Sequence, residues 1–171
     1  MNKLMLNLLI YRVKQGDEDA FDKLYQQTHK GVFSYVYSIV QNYHVAEDIT
    51  QDTFIKVKLK VHSYRDDTNF SAWMLQIAKN LAFNHLNKAK RVVATDDFST
   101  YSVDAKVDEM TEILNKALSL DERQVVVLHA VAGYKHREIA QIVGKPIGTV
   151  TWTYKNALAK LKKYLTQEVG K

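Results

Sequence analysis

The chain has no cysteine, one proline and six glycines in 171 residues. Without cysteine there is no disulfide framework and no thiolate metal site, which fits a cytoplasmic protein. A single proline leaves little to interrupt helices, so long helices and an all-α fold are expected. Also missing is any apolar run of the roughly 18 residues that a membrane span needs, so no membrane insertion is expected. The N-terminal MNKLMLNLLIYRVKQGDED has a short apolar middle and no small-residue cleavage site. It reads as a first amphipathic helix, not a signal peptide. There is no Gly-rich phosphate loop, nucleophile elbow or kinase-type motif. His29, His44, His62, His85, His129 and His136 are scattered without metal-ligand spacing. Neither an enzyme nor a cofactor is expected.

What is present is a hydrophobic fraction of 46%, ample for a core, and a net charge of +5 that is unevenly spread. Residues 1–91 carry 13 basic and 9 acidic side chains, residues 92–120 carry 2 and 6, and residues 121–171 carry 9 and 4. Two basic blocks flank an acidic joint. Each block could face an anionic polymer, although charge of this size also serves solubility.

Periodicity divides the chain into helices. A first is expected over Leu4–Lys14, stopped at Gly16, and a second begins after a cap at Asp17, with Gly31 a weak point in its middle. Asn42 and Tyr43 break the pattern. A third helix from about Val45 to Val61 carries Ala46, Ile49, Thr53, Phe54, Val57 and Val61 on one face, with acids first and lysines last. The polar stretch HSYRDDTNFSAW then reads as a loop into a fourth helix, about Phe70 to Lys88. Its apolar stripe holds Phe70, Trp73, Met74, Ile77, Ala78 and Leu81, while Lys79, Asn80, Phe83, Asn84 and Asn87 face outward. Residues 92–107 lose helical period and read as a flexible linker between a domain at 1–91 and another at 108–171.

In the second domain, Ser119 and Glu122 match a capping box, and a helix to about Ala132 closes at Gly133. Ile139, Ala140 and Val143 then stripe a short helix, Gly144 suits a left-handed stop, and Pro146 opens a last helix from Ile147. On that helix Val150, Tyr154, Ala157, Leu158 and Leu161 recur at helical spacing. Helix, Gly-bearing turn and polar-faced second helix make a helix-turn-helix, whose second helix can enter a major groove. From spacing alone an ordinary helical hairpin remains open.

Glu47, Asp48 and Asp52 form the tightest carboxylate cluster. A metal-dependent nuclease would use such oxygens, but an i, i+4 pair of acids more commonly faces solvent or a partner. From His62 to Arg91, aromatic and small polar residues run into a basic end, the mixture that suits single-stranded nucleic acid. Phe70 and Trp73 are better read as core.

Three stretches in this order, AEDITQDTFIKV at 46–57, FSAWMLQIAKNLAFNHL at 70–86 and EIAQIVGKPIGTV at 138–150, carry a resemblance that spans nearly the whole chain. The chain resembles bacterial RNA polymerase sigma factors of the extracytoplasmic-function (ECF) group, the minimal two-domain members of the sigma-70 family. The resemblance implies an N-terminal domain that binds the clamp helices of core RNA polymerase through Asp48, Gln51, Asp52, Phe54 and Ile55. It implies that Ser63, Tyr64, Arg65, Asn69, Lys79, Asn80, Phe83 and Asn84 read and open the promoter −10 element, with a base flipped into a loop pocket. It further implies a C-terminal domain seated on the polymerase flap, touching −35 DNA through Arg137, Thr149, Thr151, Trp152 and Lys155. An anti-sigma factor and a stress or envelope response are implied as well. The sequence departs from the family at Lys58, commonly aromatic there, at Asn84 and Asn87, commonly Asp and Arg, and at Trp152, commonly small and polar. The residues alone also admit a stand-alone helix-turn-helix regulator.

Overall fold

Eight α-helices, with no strand among the described residues, build the computed structural model, which describes residues 3–66, 68–93 and 109–169. Helix α1 (Lys3–Lys14) stops at Gly16, whose φ of 83° only glycine adopts cheaply. Asp17 then caps α2 (Glu18–Val40): its Oδ1 accepts from the Ala20 N–H at 3.0 Å, and its carboxylate also takes Arg12 at 2.6 Å. Helix α2 runs unbroken through Gly31, where a loosened middle was expected. The residue packs beside Ala132, whose Cβ would lie 3.4 Å from a Cβ added at Gly31.

Helix α3 (Tyr43–Lys60) starts two residues before the expected Val45 because Asn42 is its cap, Oδ1 accepting from the Val45 N–H at 2.9 Å. A single 3₁₀ turn, Val61–Ser63, leads through the loop to α4 (Phe70–Val93), five residues longer than periodicity suggested. Residues 94–107 of the expected linker lie outside the described residues. Then come α5 (Glu109–Ala117), α6 (Leu120–Val126), a turn of π-helix (Val127–Val131), α7 (His136–Val143) and α8 (Ile147–Val169).

The first four helices bury Ile10, Leu24, Val36, Ile49, Val57, Met74 and Ala78 between them. Each large aliphatic side chain removed from water contributes about 1.5–3 kcal/mol. The third-helix stripe read from sequence is buried in full. Two other stripes need correction. In α7 the buried pair is Ile139 and Ile142, with Ala140 and Val143 only half-buried, and in α8 Leu158 is 44% exposed while Thr153 takes the inward place. The cores of the two halves are continuous: Val125, Leu128, Ile139, Ile142 and Val150 join the same buried cluster as Leu24 and Met74. A smaller cluster, Leu118, Val126 and Ala157, ties α5, α6 and α8.

Candidate nucleic-acid and polymerase interfaces

Three surfaces collect the residues singled out in the sequence. The first is the outer face of α3. Burial of Ile49, Thr53 and Val57 turns the opposite side of the helix to solvent, so Asp48, Gln51 and Asp52 are exposed. Ile55 is 56% and Leu59 75% exposed on the same side, and at spacings of four, three and four the sequence 48, 52, 55, 59 forms one stripe. Two acids followed by two bare aliphatics make a surface that water solvates poorly at one end and well at the other. Phe54 is not part of it. At 3% exposure, with edge contacts to the rings of Phe21 and Tyr25, it belongs to the core, which corrects its assignment to the docking face. Leu59 was missed by sequence reading, although its i+4 spacing from Ile55 was visible. Lys58 sits beside this face and reaches back to α2, over the Phe21 ring and onto Glu18 at 2.5 Å.

The second surface is the loop after α3 and the start of α4. Tyr64 organises it from within: 4% exposed, its hydroxyl donates to the Thr68 carbonyl at 2.8 Å and its ring meets Phe70 and Trp73. The −10 contact that the resemblance implies for Tyr64 is at odds with this burial, which gives the residue a place in the loop's interior. Lys14 pins the same loop from α1, donating to the Tyr64 carbonyl at 2.9 Å and to Asp66 at 2.7 Å. Ser63 and Arg65 are exposed on the loop's outer edge. Asn69 caps α4, its Oδ1 accepting from the Ala72 N–H at 3.1 Å. Further along α4, Asn80 and Asn84 are exposed, Phe83 is half-buried against the core, and Lys79 is half-buried with Nζ 3.4 Å from the Val143 carbonyl.

The third surface is the helix-turn-helix of α7 and α8. Gly144 occupies the left-handed position (φ 74°), and the N–H groups of Gly144 and Lys145 both return to the Ala140 carbonyl, ending α7. At the other end of α7, Glu138 accepts from the Lys135 N–H at 2.8 Å. His129, His136 and Tyr154 form an aromatic cluster with centroids 4.7–5.1 Å apart that fixes the turn against α8. Thr151 is half-buried, donating to the Ile147 carbonyl at 3.0 Å with His136 Nδ1 3.2 Å away. Thr149, Trp152 and Lys155 are exposed on α8, as is Arg137 on α7. Trp152 is 66% exposed, so its indole points out of the domain rather than into the core.

No group of three or more His, Asp or Glu residues among those described is placed to hold a metal ion. No described helix is long and apolar enough to cross a membrane.

Residues 24–92 match the Sigma-70 region 2 family and residues 113–161 the Sigma-70, region 4 family. The chain is 30% identical to the ECF RNA polymerase sigma factor SigW of Bacillus subtilis, over 95% of this chain and 98% of SigW. It is 26% identical to the ECF RNA polymerase sigma-E factor of Haemophilus influenzae, over 83% and 85% of the two chains. In fold it is similar to CnrH in complex with the cytosolic domain of CnrY, at a TM-score of 0.73 and 23% identity over 94% of this chain and 97% of that one. It is similar also to the sigma factor RpoE in complex with the anti-sigma factor NepR from Bartonella quintana, at 0.71 and 23% over 85% and 96%. With both regions matched in order and a relative covered from end to end, the chain belongs to the extracytoplasmic-function sigma factors of the sigma-70 family.

Proposed function

We propose that this sigma factor, which directs core RNA polymerase to promoters and initiates transcription there, divides the work between a domain at 1–91 and another at 108–171, with 92–107 joining them. The α3 stripe of Asp48, Gln51, Asp52, Ile55 and Leu59 is the docking face for the clamp helices of the polymerase. Ser63, Arg65, Asn69, Lys79, Asn80, Phe83 and Asn84 read and open the −10 element, with Tyr64 shaping the loop beneath them. Arg137, Thr149, Trp152 and Lys155 contact the −35 element, and Thr151 positions α8 against α7. The flap of the polymerase holds this second domain.

The observation that carries the reading is the α3 stripe: exposed acids and aliphatics on a helix whose other face is fully buried, inside the matched region 2. A stand-alone regulator would have no use for it. The protein acts in the cytoplasm, where promoters are. An anti-sigma factor is a fitting partner, since CnrH and RpoE, similar in fold, are each seen with a bound protein. Asp48→Lys with Asp52→Lys tests the docking role. Helical circular dichroism is expected to stay unchanged while affinity for core enzyme falls at least tenfold; unchanged affinity would reject it.

A further inference from the structure

Arg123 of α6 is 6% exposed, and its hydrogen-bond partners among the described residues are neutral. Its Nε donates to the Ser38 carbonyl, in the last turn of α2, at 2.8 Å. Its two terminal nitrogens reach the side-chain oxygen of Gln41, the residue that ends α2. These contacts engage three of the five N–H bonds of a guanidinium and leave its charge without a counter-ion. No described carboxylate pairs with it, and burial pushes its pKa down with nothing opposing. A buried charge held only by neutral acceptors is costly, and an anion beside it recovers part of that cost.

The same side chain lines a cavity of about 320 Å³, which is within the range that small ligands occupy. Part of the lining is aromatic: Phe33 and Tyr37 of α2 stack with centroids 5.8 Å apart, and Tyr43 meets Phe33 edge-on at 5.2 Å. Leu114 of α5 and Val127 of the π-turn add aliphatic surface. Asn115, also in the lining, carries a second unmet demand: its Oδ1 is buried without a hydrogen-bond partner among the described residues. One cavity thus holds spare donors on a cation, a spare acceptor on an amide, and aromatic rings. None of its lining residues belongs to the α3 stripe or to the residues assigned to promoter DNA. We propose that this cavity is a binding site for a small aromatic carboxylate that bears a hydroxyl. The carboxylate takes the two remaining N–H groups of Arg123, the ring lies among Phe33, Tyr37 and Tyr43, and the hydroxyl donates to Asn115 Oδ1. A water molecule can answer Asn115 but brings no charge to Arg123, and a purely apolar ligand answers neither.

Methionine makes the test site-specific: Met110 lines the cavity, whereas Met5 is exposed on α1 and Met74 is buried in the core. Full-length protein with isotope-labelled methionine methyls is titrated, by nuclear magnetic resonance, with 4-hydroxyphenylacetate, phenylacetate and the neutral 4-hydroxyphenylacetamide. The Met110 signal is expected to move with 4-hydroxyphenylacetate while those of Met5 and Met74 stay. Affinity for the acid should exceed that for its amide at least about tenfold, as a charge-assisted pair at a buried site implies. The hydroxyl should add about three- to tenfold over phenylacetate, and Asn115→Ala should remove that gain alone. Ser34→Trp, which sets an indole in the cavity, should abolish binding. No movement of Met110 at millimolar acid, or equal affinity for acid and amide, would overturn the site. So would a hydroxyl gain that survives Asn115→Ala, or binding that survives Ser34→Trp. The comparison of acid with amide uses the unaltered protein, so it decides even if a variant fails to fold. Binding is read without polymerase or promoter, so its failure is distinct from failure of the sigma function.

Discussion

His136 Nδ1 lies 3.2 Å from the Thr151 hydroxyl, joining the first residue of α7 to the first turns of α8. Its other nitrogen, Nε2, is buried without a partner among the described residues, and the His129 ring stands 4.7 Å away. Burial first, then proximity to His129, hold this imidazole below its ordinary value of 6.5. The neutral ring is therefore the folded form, so its contribution to stability is complete above pH 6.5 and is lost as pH falls through the lowered value.

Glu122 adds a second acid-sensitive tie. Burial raises its carboxyl, but hydrogen bonds from Lys160 and from Ser119 outweigh burial and hold it below 4.5. Its contribution is full above pH 4.5 and lost as pH falls through the lowered value. Urea denaturation of the protein is expected to show two steps of weakening in acid, the first below pH 6.5 and the second below 4.5. His136→Phe should remove the first step and spare the second.

Phe54 and Leu59 make opposite predictions although both lie on α3. Phe54→Ala empties a core site, so stability falls by about 3–5 kcal/mol while the folded fraction still binds core enzyme. Ile55→Ser with Leu59→Ser touches no core contact. Its denaturation midpoint should stay within experimental error, while affinity for core polymerase falls roughly tenfold.

In the proposed −35 contact, the exposed ring of Trp152 would meet a thymine methyl or sugar in the major groove. Trp152→Ala is expected to cost about 1–3 kcal/mol of discrimination at one or two −35 positions, read by transcription from a panel of single-base promoter variants. Lys155→Ala should instead weaken binding to all sequences alike and reduce the salt slope of promoter binding by about one. The same loss of discrimination from both substitutions would contradict these separate roles.

Much of the fold was legible because local signals and the helical period agree. Asp17, Ser119 and Gly144 act where their chemistry says they should, and the α3 stripe is buried as written. Tertiary demands override period elsewhere. Asn42 looked like a break because its role as a cap is carried by the side chain, not by hydropathy. Gly31 looked like a weak point because nothing in α2 itself reveals Ala132. Phe54 and Tyr64 shared motifs with surface residues, and adjacency in sequence says little about which side of a helix or loop an aromatic ring takes. The contacts between the two halves were invisible for a similar reason: Arg123 and Lys79 are ordinary polar residues until the Ser38 and Val143 carbonyls come beside them.

Run-off transcription with purified core polymerase and fragments of the native genome tests the central claim most directly. The account predicts discrete transcripts from promoter-bearing fragments that require this protein and disappear with Asp48→Lys and Asp52→Lys combined. A complete absence of protein-dependent transcripts across the genome, with core enzyme that responds to another sigma factor, would contradict it.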